Sequence, residues 1–306
     1  MNRNPTPKNC NLKPKLIIIL GPTASGKSAL AVKLAKKFNG EIISADSRQV
    51  YCGMDIGTGK ITKREMRGVP HHLLNVASPK QRFTVTQYRK LAARAINKIL
   101  KAGKTPILCG GSPFYIRAVI DGLTIPEVSP DWKLRKKLGK KSVKDLYRTL
   151  KKLDPKRAET IEKENPRRLI RALEIVIKTK KPVAELKKNP LPYPILMIGI
   201  ERKRKELKNL IKKRMQKRFG RGMIKEVKNL KKSGLSWERL EEFGLEYRWI
   251  SRYLQKKIAY VEMVKRLQKD TEHFAKRQAT WWKTDARIKW IKSEEEAVKL
   301  AKNFLF

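Results

Sequence analysis

The sequence of 306 residues is poor in cysteine, histidine, acidic side chains and long apolar runs. Its three cysteines, Cys10, Cys52 and Cys109, are dispersed with no C-x-x-C pair. That spacing argues against a zinc ribbon or a disulfide framework and predicts a reducing, cytoplasmic setting. Of the three histidines, His71 and His72 adjoin, but no third ligand stands at metal-site spacing, and structural hydrogen bonding is expected of them. The longest purely aliphatic run, Leu16–Leu20, falls far short of the roughly 20 residues of a membrane span, so no membrane-spanning segment is expected. Residues 1–14 are polar, contain Pro5, Pro7 and Pro14, and lack an apolar h-region. They read as a short disordered tail and not as a signal peptide. No internal repeat is visible.

Positive charge is abundant instead. Lys and Arg number 74 against 28 Asp and Glu, a net charge of +46. A protein that handles only a small metabolite has no need of this excess. A polyanionic partner does, because each cation set against a phosphate releases counterions. Nucleic acid is the first candidate and an anionic membrane surface the second. Solvated helix faces are the alternative for much of the charge. With 40% apolar residues, the chain can bury the core of one large domain, or of a domain with a sizeable insertion.

The most informative stretch is Leu16–Leu20 with the eight residues after it. Gly21, Pro22, Thr23, Ala24, Ser25, Gly26, Lys27 and Ser28 match G-x-x-x-x-G-K-[ST]. A buried strand precedes them and a helix from Ala29 to Phe38 follows, which is the context a phosphate-binding P-loop requires. Glycines let backbone N–H groups turn onto phosphate oxygens, and the helix N-terminus adds positive potential. Lys27 would reach the outer phosphates, and Ser28 would hold Mg²⁺ through its hydroxyl.

A second strand, Glu41–Asp46, ends in a carboxylate. Carboxyl ends of strands face the ligand crevice of open α/β sheets, so Asp46 is expected near the P-loop. A Gly-rich connection, residues 52–60, leads to Pro70–Asn75, a further strand or its edge. A helix over 86–101 and a strand over 106–111 follow, with Ser112 as the cap of a helix to Ile120. This β-α-β-α-β-α order predicts a parallel sheet covered by helices. From Asp121 the texture changes. Residues 132–188 read as helix only, dense in Lys and Arg, before an apolar strand near 192–200. Helices over 203–232, split at Gly220 and Gly222, and over 236–278 precede a last strand at 288–291 and a closing helix.

The fold class is therefore α/β, a P-loop NTPase-like parallel sheet core with a helical insertion domain. The expected divisions are a tail over 1–14, a core over 15–121 continued by 190–218 and 284–306, a basic helical insertion or lid over 122–189, and a helical RNA-facing segment over 219–283.

At Gly21–Ser28, Asp46–Tyr51, Pro70–Leu73, Gly110–Tyr115, Asn165–Glu174 and Lys276–Trp281 the sequence resembles the tRNA dimethylallyltransferase (tRNA isopentenyltransferase) family. The resemblance runs from about Lys15 to Trp290, and the P-loop has the family's spelling, G-P-T-A-S-G-K-S. It implies transfer of a dimethylallyl group from dimethylallyl diphosphate to N6 of the adenosine beside the anticodon in tRNA. Mg²⁺ is the implied cofactor and the tRNA anticodon stem-loop the implied partner. The resemblance gives Asp46 the role of general base. The residue-level alternative is a strand-end Asp that caps a turn or orders Mg²⁺ through water. It also implies that Thr23 lines the diphosphate or amine site, that Ser112 keeps the hydroxyl of the family's G-G-T, and that Arg214 contacts the diphosphate. Gly21 to Ser28 would bind the diphosphate.

Contact with tRNA is implied for Asp46, Ser47, Arg48 and Gln49, and for Arg167, Arg168, Leu169, Ile170 and Arg171. It is implied also for Arg248, Arg277 and Gln278. For the arginine-rich stretch a solvated basic face is the alternative. Three departures from the family pattern stand out: Pro113-Phe114 for Gly-Leu, Asn75 for Asp, and Glu246 for the Gly of a Gly-Tyr-Lys/Arg motif. A metabolite kinase, an adenine-nucleotide isopentenyltransferase and a nucleic-acid-binding ATPase are the competing readings. A monomer is expected, since one tRNA already offers a large surface.

Overall fold

The computed structural model describes residues 14–126 and 128–306. The expected tail, apart from Pro14, lies outside them, as does Cys10.

A run of five Leu and Ile residues has no polar face, so it must be covered on both sides. Leu16–Leu20 forms β1, an inner strand with all five side chains buried. The other strands are β2 (Gly40–Ser44), β3 (His71–His72), β4 (Thr105–Gly110), β5 (Ile195–Ile200) and β6 (Ile288–Ile291). They make one six-stranded sheet in the order β3-β2-β4-β1-β5-β6. All pairs are parallel, with Ile17 opposite Ile107 on one side of β1 and Leu196 on the other.

Successive strand residues face opposite ways. Leu16, Ile18 and Leu20 join one core with helices α3 (Val85–Lys101), α4 (Pro113–Ile120), α9 (Arg204–Gly220), α10 (Met223–Lys232), α11 (Trp237–Glu242), α12 (Leu245–Leu254) and α13 (Tyr260–Trp282). Ile17 and Ile19 join the other, with α1 (Lys27–Lys37) and α14 (Glu294–Leu305). A short α2 (Lys63–Met66) carries a capping box between Thr62 and Glu65. The stretch 219–283, expected as a separate segment, shares its core with the sheet.

The chain divides into two compact units, Gly122–Pro190 and the remainder. In the smaller unit, α5 (Trp132–Leu138), α6 (Val143–Leu153), α7 (Pro155–Thr160) and α8 (Pro166–Thr179) enclose Leu146, Leu150, Leu169 and Leu173. Glu174 is fully buried there. It accepts Arg135 Nε at 2.8 Å, Arg135 Nη2 at 2.6 Å and the Asp131 N–H at 2.6 Å, and it pairs with Arg171. Burial alone would push its carboxyl up. The Arg135, Asp131 and Arg171 hydrogen bonds outweigh that and hold it below the usual range. The helical reading to residue 188 overruns the structure. α8 stops at Thr179, Lys180 turns left-handed at φ 57°, and nothing helical follows before β5. Pro182, Pro190, Pro192 and Pro194 lack the N–H that a helix needs.

Candidate active site

The P-loop leaves β1 through Gly21 at φ 147° and enters α1 through Gly26 at φ 98°. The Ser25 N–H closes on the Pro22 carbonyl at 3.3 Å. Lys27 Nζ also donates to that carbonyl, at 2.6 Å. Burial pulls the Lys27 ammonium down to about 8. Ser28 is exposed in the first turn of α1. Ser25 Oγ is buried with no hydrogen-bond partner among the described residues.

Asp46 follows β2, and β4 lies between β2 and β1 in the sheet. The end of that intervening strand therefore has to be slim. It is Gly110-Gly111, where a Cβ on Gly110 would stand 2.1 Å from the Ala45 carbonyl oxygen. Asp46 Oδ1 accepts the N–H groups of Arg48 at 2.8 Å and Gln49 at 3.4 Å, an Asx-type turn. Oδ2 takes no part in that turn. Ser112 occupies the N-cap of α4, yet its hydroxyl does not cap that helix. It accepts the Ser47 N–H at 3.0 Å and so ties the aspartate loop to β4. Pro113 sits at the first helical position, where no N–H is required, so the departure at 113–114 leaves the helix start intact.

Residues 52–60 form the third wall. Lys60 is buried and donates to the Tyr51 carbonyl, Asp55 Oδ1 and Asn75 Oδ1. Asn75 thus serves as a neutral acceptor. The Glu226 carboxylate takes the N–H groups of Asp55 at 2.8 Å, Ile56 at 2.6 Å and Gly57 at 2.9 Å, and the Tyr247 hydroxyl at 2.8 Å. The loop so held turns the Gly59 carbonyl to Gln49 Nε2 at 3.4 Å and Arg214 Nη2 at 3.3 Å. Arg214 Nη1 reaches Thr23 Oγ1 at 3.1 Å.

Replacing Glu226 by Ala strands three N–H groups and a phenol, with a cost of about 2–3 kcal/mol in stability. Thermal unfolding checks it, and an unaltered melting temperature would mean that the loop holds itself.

These elements enclose a cavity of about 1060 Å³ lined by Thr23–Ser28, Asp46, Gln49, Gly59, Lys60, Gly110, Gly111, Arg214, Arg218 and Gln278, among others. The structure thus brings together the P-loop, Asp46, Gln49 and Arg214. Gly21 and Pro22 are buried beneath the loop. Ser47 and Arg48 are half-buried beside the aspartate, and the Arg48 guanidinium lies over the Phe243 ring at 5.7 Å.

Other expected contacts are placed differently. Gln278 is 5% exposed and stands in the cavity wall. Its Oε1 accepts the Thr23 N–H at 2.8 Å and its Nε2 donates to the Gly111 carbonyl at 2.6 Å, locking the P-loop to β4. In the smaller unit Leu169 is fully buried, Ile170 packs against the same core, and Arg171 is engaged by Glu174 and the Val128 carbonyl. Arg167 is exposed, and Arg168 pairs with Glu162 at 2.8 Å. Arg277 is exposed and Arg248 half-buried. His71 Nδ1 meets the Val69 carbonyl and His72 Nε2 meets Glu41, both structural contacts. Glu226, Arg218 and Lys60 were not anticipated as parts of this wall.

Comparison with known proteins points the same way as the geometry. The family model described as IPP transferase matches residues 49–285. The tRNA dimethylallyltransferase of Carboxydothermus hydrogenoformans is 44% identical over 293 residues, covering 93% of this chain and 94% of that protein. That of Acetivibrio thermocellus is 39% identical, covering 95% and 97%. The full-length tRNA isopentenylpyrophosphate transferase of Bacillus halodurans superposes with a TM-score of 0.71 at 36% identity, over 95% of each chain. A eukaryotic dimethylallyltransferase acting on tRNA superposes with a TM-score of 0.79 at 26% identity, over 95% of this chain and 79% of that one. With matches of this length and identity, the chain belongs to the IPP transferase family, that of the tRNA dimethylallyltransferases.

Proposed function

We propose that the protein transfers a dimethylallyl group from dimethylallyl diphosphate to N6 of the adenosine next to the anticodon of tRNA. The observation that carries this reading is the joining in one cavity of two half-buried cations, Lys27 and Arg214, with a carboxylate, Asp46. As N6 bonds to the allylic carbon, the carbon–oxygen bond breaks and its electron pair leaves on the diphosphate. Lys27 and Arg214 stabilise that charge. The N6 lone pair is delocalised into the ring, so the amine is a weak nucleophile, and Asp46 Oδ2 takes its proton. Gln49 suits the Watson–Crick edge of an adenine that has left its stack.

Mg²⁺ fits this donor set. It keeps water and substrate phosphates as ligands and asks little of the protein, and the Ser28 hydroxyl stands beside Lys27 to hold it. When bound, the ion adds positive charge at the leaving diphosphate. No helix among the described residues is long and apolar enough to cross a membrane. A monomer acting in the cytoplasm completes the reading.

Exposed arginines supply the electrostatic part of tRNA binding. Arg167→Ala is expected to reduce the salt slope of tRNA affinity by about one and leave diphosphate binding intact. Filter binding at several salt concentrations checks it, and an unchanged slope places Arg167 away from the RNA.

The function is tested by incubating the protein with Mg²⁺, ¹⁴C-dimethylallyl diphosphate, and either unmodified tRNA or AMP. Label in one adenosine beside the anticodon supports the reading. Label on AMP alone moves the activity to free nucleotides, and no label on either overturns prenyl transfer.

A further inference from the structure

Arg218 lies one turn beyond Arg214 on α9, on the same face of the helix. Both guanidinium groups close on Gly59. A Cβ there would stand 1.7 Å from Arg218 Nη2 and 2.2 Å from Arg214 Nη2, so the two nitrogens lie less than about 4 Å apart. Like charges this close repel unless an anion joins them. The protein supplies only part of that anion. Arg218 Nη1 donates to Glu246 Oε1 at 2.7 Å and to the Gly57 carbonyl at 3.1 Å. Among the described residues, Arg214 has only the Thr23 hydroxyl and the Gly59 carbonyl as acceptors, both neutral. Burial, and then the neighbouring Arg218 charge, draw the Arg214 guanidinium down to about 10. Arg218 and Glu246 are themselves mostly buried, at 11% and 13% side-chain exposure. Both guanidinium groups line the cavity that holds Lys27.

We propose that Glu246 is the positioning residue of Arg218 and the anion that this guanidinium gives up, in part, to a bound diphosphate. The proposal rests on reading the cavity as a diphosphate site. Glu246 stands where the family motif has glycine, so this chain brings its own carboxylate to the fork. That carboxylate balances one of two crowded cations. When a diphosphate arrives, a bidentate fork turns to its oxygens, and Glu246 competes with it for Arg218. The pair thereby tunes how tightly the product diphosphate is held.

The opposite signs of two charge-removing variants separate this role from a structural one. Inorganic pyrophosphate with Mg²⁺ is titrated calorimetrically into the full chain, without tRNA or allyl donor. Arg218→Gln is expected to weaken binding about tenfold, and Arg218→Lys, which keeps charge but not the fork, about threefold. Glu246→Gln is expected to tighten binding about threefold, because the competing anion is gone. If Arg218 only staples the loop at Gly57, all three variants weaken binding together or none moves it, and the proposal falls. If Arg218→Gln does not fold, the Arg218→Lys and Glu246→Gln pair still carries the sign test. If the unmodified chain binds no pyrophosphate, the diphosphate reading of the cavity falls and this proposal with it.

Discussion

Asp46→Asn lowers the single-turnover rate of prenyl transfer roughly a thousandfold, the middle of the range for losing a general base, with tRNA affinity and melting temperature unchanged. The substitution is chosen because Asp46 has two jobs. Oδ1 holds the turn through the N–H groups of Arg48 and Gln49. Asparagine can keep that acceptor and so keep the turn. Oδ2 is the atom that would take the N6 proton, and an amide NH₂ in its place cannot. A loss of rate with an intact turn therefore isolates proton acceptance. Asp46→Ala removes both jobs and adds a stability loss of about 1 kcal/mol, as for a lost local side-chain cap. Rapid-quench measurement on saturated tRNA reads the chemical step. An Asp46→Asn variant that keeps more than about a tenth of the rate would leave Asp46 as a turn residue and nothing more.

What the sequence made legible is what lies close together in it. The P-loop is contiguous, its flanking strand and helix announce themselves, and the strand-end position of Asp46 follows from the parallel sheet. The slim end of β4 was visible as Gly110-Gly111, although only the strand order explains why two glycines are needed there. The contacts that finish the site span long separations. Gln278 meets Thr23 across 255 residues, and Glu226 meets Ile56 across 170. In a chain with 74 Lys and Arg, no spacing rule distinguishes Arg218 from its neighbours. Two local signals were legible and carried more than was drawn from them. Arg171 has Glu174 three residues on, the arrangement of an ion pair on one helix face, and that pairing turns the arginine to the buried carboxylate. Thr62 and Glu65 spell a capping box, and α2 begins there. The glutamine of Lys276-Arg277-Gln278 is expected, by resemblance, as a tRNA contact, and it is buried. Its burial reflects a gap between the P-loop and β4 that needs one acceptor and one donor, which an amide supplies.

Lys27→Met is expected to lower the transfer rate by a factor of about 10² to 10³, the cost of removing one group that stabilises charge on a leaving oxyanion. It also abolishes a pH dependence that the unmodified protein should show. Burial disfavours the Lys27 ammonium and brings it from an ordinary 10.5 to about 8. At pH 7 the site therefore holds mostly ammonium, and at pH 9 mostly neutral amine. A diphosphate binds the ammonium and draws its proton affinity back up. Above about pH 8 binding must then take up a proton, and the dissociation constant of pyrophosphate rises toward tenfold per pH unit. Stability of the empty protein runs the other way. Between about pH 8 and 10.5 the unfolded chain holds a proton on Lys27 that the folded chain has released, so this group adds stability as pH rises through that window. Calorimetric titration of pyrophosphate at pH 7, 8 and 9, in buffers of different ionisation enthalpy, reads the proton uptake directly. Methionine at position 27 fills the same space without charge, so its binding should be weak and level across the range. A Lys27→Met variant that keeps the slope of the unmodified protein would assign the titration to another group and leave Lys27 a fixed cation. A slope that vanishes together with the rate ties the charge on Lys27 to the diphosphate in both binding and chemistry.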